Sequence, residues 1–288
     1  MDLSTVELPK RYNYIACFLT LECNLSCGYC INLFGAKQGH RKSVMPAGDW
    51  ISGLNRLAAA HDLPVTLQGG EPSLHPGFIH IINNIKKELS IDILTNLLFD
   101  VDEFIKMVDP ARLRRNAPYP NIRVSYHPPC MDLGELIKKV LKMQDAGFSV
   151  GIFSILHPGF KKEISEAQRR CLDLGIDFRT KELLGKLGNK LYGTYLYPEA
   201  IHREKRKRCL CRTSELIIGS DGTVFRCHRD LYAHLRPIGS ILDEDFRIED
   251  KFRECDQFGD CNPCDIKIKT DRFQVYNHTS VEIKAIIG

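Results

Sequence analysis

The twelve cysteines of this 288-residue chain fall in clumps, and that limits what it can fold into. Cys23-Asn24-Leu25-Ser26-Cys27-Gly28-Tyr29-Cys30 has the spacing C-x3-C-x2-C, and six more thiols stand between Cys209 and Cys264. Cys17, Cys130 and Cys171 are scattered. A short exported chain this rich in cysteine reads as a disulfide scaffold, but a chain of this length buries enough core without one. Its start, Met1-Asp2-Leu3-Ser4, lacks the basic and apolar stretches of an export signal, so a cytoplasmic protein is expected. Clumped thiols in a reducing compartment are metal or iron–sulfur ligands. No apolar run is long enough for a bilayer, so no membrane partner is expected. The formal charge of +4 is too mild to argue for nucleic acid.

Residues 14–180 alternate short β-rich runs with amphipathic patterns. Strands are expected at Tyr14–Thr20, Pro64–Leu67, Ile91–Leu94, Ile122–Tyr126, Ser149–Leu156 and Ile176–Arg179. Helices are expected at Pro46–Ala60 (Asp49 as cap), His75–Leu89, Val101–Val108, Gly134–Ala146 and Lys161–Leu174. Such alternation implies a parallel sheet with right-handed crossovers. The expected fold class is α/β: a partial (β/α)6 barrel over residues 1–184, then a small Cys-rich α+β domain over 185–288. Chemistry in such barrels sits at the C-terminal strand ends.

The early thiols directly follow the first strand, where a barrel places its active site. Three thiolates on one loop suit three irons of a cubane cluster and leave a fourth open; a structural zinc knuckle is the plainer alternative. The segment resembles the signature of the radical S-adenosylmethionine (SAM) enzymes, with Tyr29 as the aromatic residue before the last cysteine. Gly69-Gly70-Glu71-Pro72 matches the motif that this family uses for the methionine amino group, and Thr95-Asn96 and Ser125 match small polar positions near the SAM ribose and carboxylate. The resemblance spans residues 12–182. It implies a [4Fe–4S] cluster on Cys23, Cys27 and Cys30, SAM as cosubstrate, reductive cleavage to a 5′-deoxyadenosyl radical, hydrogen-atom abstraction from substrate, anaerobic operation, and an electron donor such as flavodoxin or ferredoxin.

Farther on, Glu215–Arg226 reads as a β-hairpin turning at Ser220-Asp221-Gly222, with Cys209 and Cys227 beyond its ends. Cys255-x5-Cys261-x2-Cys264 follows, its last pair a tight two-ligand clip. The arrangement resembles the SPASM and twitch auxiliary-cluster domains of radical SAM enzymes. Phe252 stands where the longer SPASM form has a cysteine, and no cysteine follows Cys264, so one auxiliary [4Fe–4S] cluster is expected. The preferred ligands are Cys209, Cys227, Cys261 and Cys264, with Cys211 and Cys255 as alternates; a four-thiol zinc site is the other reading.

Cys130 is a candidate hydrogen-atom donor to a substrate radical, against the plainer reading of a loop thiol. Cys17 and Cys171 read as core. His127 and His157 read as substrate contacts or loop-positioning residues, and Arg203–Arg208 as a solvated helix face. The whole points to an oxidoreductase-like enzyme that dehydrogenates a small or sugar-like molecule. The alternatives are a maturase of ribosomal peptides, a relative of the cyclase that begins molybdenum-cofactor synthesis, and a non-catalytic metal- or RNA-binding protein. The chain ends Lys284-Ala285-Ile286-Ile287-Gly288, without that cyclase's glycine- and arginine-containing tail.

Overall fold

The computed structural model describes residues 4–30, 44–59, 62–193, 202–258 and 281–286. Six parallel strands form its centre: β1 (Tyr14–Thr20), β2 (Val65–Gly69), β3 (Ile91–Thr95), β4 (Ile122–Ser125), β5 (Val150–Leu156) and β6 (Phe178–Glu182). Each pairs in parallel with the next, from Ile15 opposite Val65 to Leu156 opposite Glu182. Helices α1 (Ala47–Asn55), α2 (Phe78–Asn84), α3 (Val101–Met107), α4 (Pro110–Leu113), α5 (Leu133–Asp145) and α6 (Lys161–Asp173) fill the crossovers. Every residue of β1 is buried, as a strand covered on both faces requires. Apolar stripes set the helices: α5 buries Leu136, Ile137, Val140 and Met143, and its Asp132 cap accepts from Glu135 N at 2.8 Å. Cys171 is buried on α6 and Cys17 on β1, both in the main core.

The strand after α6 begins two residues later than its sequence suggests. Gly175 takes φ +75°, and its N–H bonds Leu172 O while Ile176 N–H bonds Cys171 O. This double bond pattern closes the helix and uses Ile176 in the cap. Helix α1 is shorter than expected. Its N-cap is Pro46, Asp49 makes no side-chain cap bond, and Leu57–Ala58 pairs with Val6–Glu7 instead of continuing the helix. Buried Arg56 explains the stop, since it donates to Ser4 O, Ile241 O, Asp243 O and Glu244 O. Likewise, helix α2 covers only the middle of its expected span: Pro72–Leu74 is a 3-10 turn, and His75 is extended.

After residue 185 come a short hairpin (Gly185–Leu187 with Lys190–Tyr192) and then β7 (Lys207–Thr213), β8 (Glu215–Ile218), β9 (Thr223–Phe225), helix α7 (His228–Ala233), β10 (Pro237–Ser240), β11 (Arg253–Phe258) and β12 (Val281–Ala285). The expected hairpin is present as β8 and β9. It extends the barrel sheet, with β8 parallel to β1 (Glu215 opposite Tyr14), so nine strands run β10-β9-β8-β1-β2-β3-β4-β5-β6. Strands β11-β7-β12 make a separate antiparallel sheet. The basic run is not a helix face. Past a 3-10 turn at Arg203–Lys205, Arg206 donates to Asp256 O just before the run enters β7, where Arg208 pairs with Glu254 across to β11. Among the described residues no helix is long and apolar enough to cross a membrane.

Candidate functional site

The early thiols sit at the mouth of β1 on a loop held by close backbone contact. Gly70 N–H donates to Thr20 O at 2.9 Å and Glu71 N–H to Glu22 O at 2.8 Å. A Cβ on Gly69 would stand 2.0 Å from Thr20 O, and one on Gly70 2.1 Å from Glu22 O. The glycine pair is therefore what lets the thiol loop lie against the end of β2. Gly70→Ala is expected to lower stability by about 2–3 kcal/mol, since a backbone oxygen cannot give way, and to reduce iron uptake by the early thiols. The urea midpoint and iron analysis read the two effects; a variant equal to the parent in both would refute the packing role.

Glu71 ties three strand mouths together. It is 1% exposed. Its Oε1 accepts from Ser73 Oγ and Thr95 Oγ1, each at 2.7 Å, and from Ser73 N at 3.2 Å; Oε2 accepts from Asn96 N at 2.7 Å. Asn96 Nδ2 then donates to Asn24 Oδ1 at 2.6 Å, inside the thiol loop. The Gly69–Pro72 turn, Thr95-Asn96 and Cys23–Cys30 thus form one network. Ser125 closes β4, half-buried, opposite Phe153.

Tyr29 leans across to the other strand ends. Its ring stacks on His157 (centroids 5.1 Å apart), and its hydroxyl lies 2.9 Å from His127 Nδ1. Burial and the neighbouring thiols push the Tyr29 phenol up, and burial pushes His127 down. The phenol and the imidazole thus share one hydrogen bond that ties the thiol loop to the end of β4. Both histidines adjoin a loop residue rather than standing free, a relation that no local sequence signal carries.

Cys23 is exposed, Cys27 buried and Cys30 half-buried. Cys27 hydrogen-bonds Cys130, and burial together with that neighbour pushes its thiol up to about 12. Ligation by iron would replace such a proton. Among the described residues no three Cys, His, Asp or Glu side chains converge on a single-ion position. Three thiols spaced along one loop fit a cluster in which each iron takes one thiolate.

A second thiol site stands on the β11-β7-β12 sheet. Cys209 faces Cys255 across the β7–β11 pair, and Cys211 lies two residues on, so strand alternation sets all three on one face. Cys255 accepts from both Cys209 and Cys211, which pulls it far down from the usual thiol range, while the bond to Cys255 raises Cys211. Cys227, just past β9, completes the group. A cleft here is lined by Cys211, Cys227, Cys255, Arg226, Arg229 and Arg253, among others. The structure therefore gathers the two alternates with Cys209 and Cys227; Cys261 and Cys264 lie outside the described residues. A C-x-C pair on a strand was the signal in the sequence. Three thiols on the cleft wall with Cys209 beside them fit an iron–sulfur cluster by donor chemistry.

No protein-family profile matches the chain. It is 24% identical over 182 residues to a GTP 3′,8-cyclase of Clostridium perfringens (strain 13 / Type A), covering 61% of this chain and 56% of that one. It is 28% identical over 194 residues to a GTP 3′,8-cyclase of Aquifex aeolicus (strain VF5), covering 62% and 58%. The chain thus spans little more than half the length of these relatives. Native anSMEcpe with bound AdoMet and Kp18Cys peptide shares its fold at a TM-score of 0.56, with 13% identity over 83% of this chain and 78% of that one. Native anSMEcpe with bound AdoMet alone gives 0.55 at 12% identity, over 81% and 78%. Its sequence is thus similar to that of the GTP 3′,8-cyclases and its fold to that of anSMEcpe, which, with the motifs drawn together at the mouth of a partial barrel, supports the radical SAM superfamily.

Proposed function

We propose that this chain is an anaerobic radical SAM enzyme with a SAM-binding [4Fe–4S] cluster on Cys23, Cys27 and Cys30 and one auxiliary [4Fe–4S] cluster on the late thiols. The carrying observation is the Glu71–Thr95–Asn96–Asn24 network, which joins the thiol loop to the ends of β2 and β3. When bound, these groups supply one-electron cleavage of SAM, hydrogen-atom abstraction and an electron sink, so oxidation of a small or sugar-like molecule is the leading net reaction. Tyr29, anchored by His127 and His157, holds the loop's last cysteine against the mouths of β4 and β5. Ser125 and the Gly69–Pro72 and Thr95-Asn96 turns border the same mouth and are the positions to meet SAM. Under the alternative of an epimerising maturase, Cys130, in contact with Cys27, is the residue that would return a hydrogen atom to the substrate radical.

Anaerobic reconstitution tests the proposal. Iron and sulfide sufficient for two cubane clusters, with reductant-dependent 5′-deoxyadenosine, are expected. Zinc alone with no SAM cleavage would refute it. The relatives favour a second reading, a nucleotide substrate. GTP consumed in step with SAM would select that reading over a sugar-like alcohol.

A further inference from the structure

Arg226 stands out in the late thiol site because it is buried there. It is 6% exposed, although a guanidinium normally reaches water. Nε donates to Asp230 Oδ2 at 2.6 Å, and Asp230 is itself fully buried. Nη1 donates to Glu254 O at 2.5 Å. One side chain thus joins the residue before Cys227 to the residue before Cys255, although Cys227 caps helix α7 and Cys255 lies on strand β11. The guanidinium also acts electrostatically on Cys211, Cys227 and Cys255. The other cations of the cleft wall are placed differently. Lys251 and Arg253 pair with Glu249, which is 58% exposed, at 2.6 and 2.9 Å. Arg229 stands 3.6 Å from Asp230 Oδ1.

We propose that Arg226 is the positioning residue of the auxiliary cluster: it clamps Cys227 and Cys255 into one wall and sets a fixed positive charge against the sulfurs. The proposal rests on the reading of Cys209, Cys211, Cys227 and Cys255 as an iron–sulfur site. Reduction adds a negative charge to a cluster, and a buried cation beside it favours the reduced form. Removing the cation therefore lowers the potential. Asp230 holds the fork in place, and a lysine offers the charge without the planar fork.

The test uses the full chain carrying Cys23→Ala, Cys27→Ala and Cys30→Ala, so that the late site alone reports. After anaerobic reconstitution with iron and sulfide, iron content and the midpoint of a reductive titration followed by electron paramagnetic resonance are measured. Arg226→Gln is expected to shift the reduced-to-oxidised ratio at least about tenfold toward oxidised, 59 mV for one electron. Arg226→Lys is expected to stay within about threefold of the parent. Arg226→Gln leaves Asp230 buried without its partner, so Arg226→Gln/Asp230→Asn is measured beside it. If the single variant does not fold, the double variant decides, with a smaller shift of the same sign expected. An unchanged midpoint and iron content in the glutamine variants, or equal shifts for lysine and glutamine, would overturn the role of Arg226 alone. No iron–sulfur signal in the parent would overturn the reading of the site as well.

Discussion

Cys27→Ala is expected to bring 5′-deoxyadenosine formation down to the level of a protein-free control. Cys27 is the middle thiol of the early loop and 6% exposed, and alanine offers no donor to replace it. A cluster missing one of three thiolates loses the ligand geometry that leaves one iron open for a cosubstrate. The late thiols Cys209, Cys211 and Cys255 lie on a separate sheet, so the variant is expected to keep roughly half of the parent's iron and sulfide. Product analysis after anaerobic reduction, with iron and sulfide counts, reads both numbers. Cys17→Ala is the control, since Cys17 is fully buried in the core on β1, away from the loop, and its loss leaves cleavage in place. SAM cleavage by Cys27→Ala at the parent's rate would end the assignment of the early loop.

Glu71→Ala is expected to cost roughly 3–5 kcal/mol of stability and to abolish SAM cleavage. The alanine leaves the donors of Ser73, Thr95 and Asn96 without their acceptor. Thr95 and Asn96 are themselves buried, so water does not readily take over. Each orphaned buried group costs about 1–3 kcal/mol. Glu71→Gln retains one acceptor oxygen but turns an NH2 toward a neighbouring donor, so an intermediate loss of about 2 kcal/mol is expected. Urea unfolding at constant m separates this loss from any change in the denatured state. If the glutamine variant matched the parent in both stability and cleavage, the charge-assisted network would not be what holds the strand mouths together.

The barrel was legible because burial on both faces selects apolar β-rich runs, and amphipathic helices betray themselves by spacing. All six expected parallel strands are present, and all the intervening helices form. The delayed start of β6 came from a local cap at Gly175 and Ile176, whereas two other errors fell where a distant partner overrode a local preference. Arg56 ends α1 by donating to carbonyls of residues 241–244. The basic run before Cys209 leads into a strand because acidic residues of β11 face it. The C-x-C pair was readable as two thiols on one face, but only once Lys207–Thr213 was taken as a strand. The attachment of the β8–β9 hairpin to β1 was not legible, since a strand pattern does not name its neighbour.

Residue type and spacing were enough to determine a loop of three thiols after the first strand, glycines that admit a close backbone, and alternating elements that build a parallel sheet. These properties are local: ligand chemistry belongs to the side chain, and helix or strand period to its near neighbours. Only the tertiary structure decided that Glu71 spends its carboxylate on protein donors, that Asn96 meets Asn24 across 72 residues of chain, and that Arg226, beside the helix-capping Cys227, reaches the strand that carries Cys255. Those contacts depend on which strand mouths and sheet faces meet, and that is set by how the whole core packs.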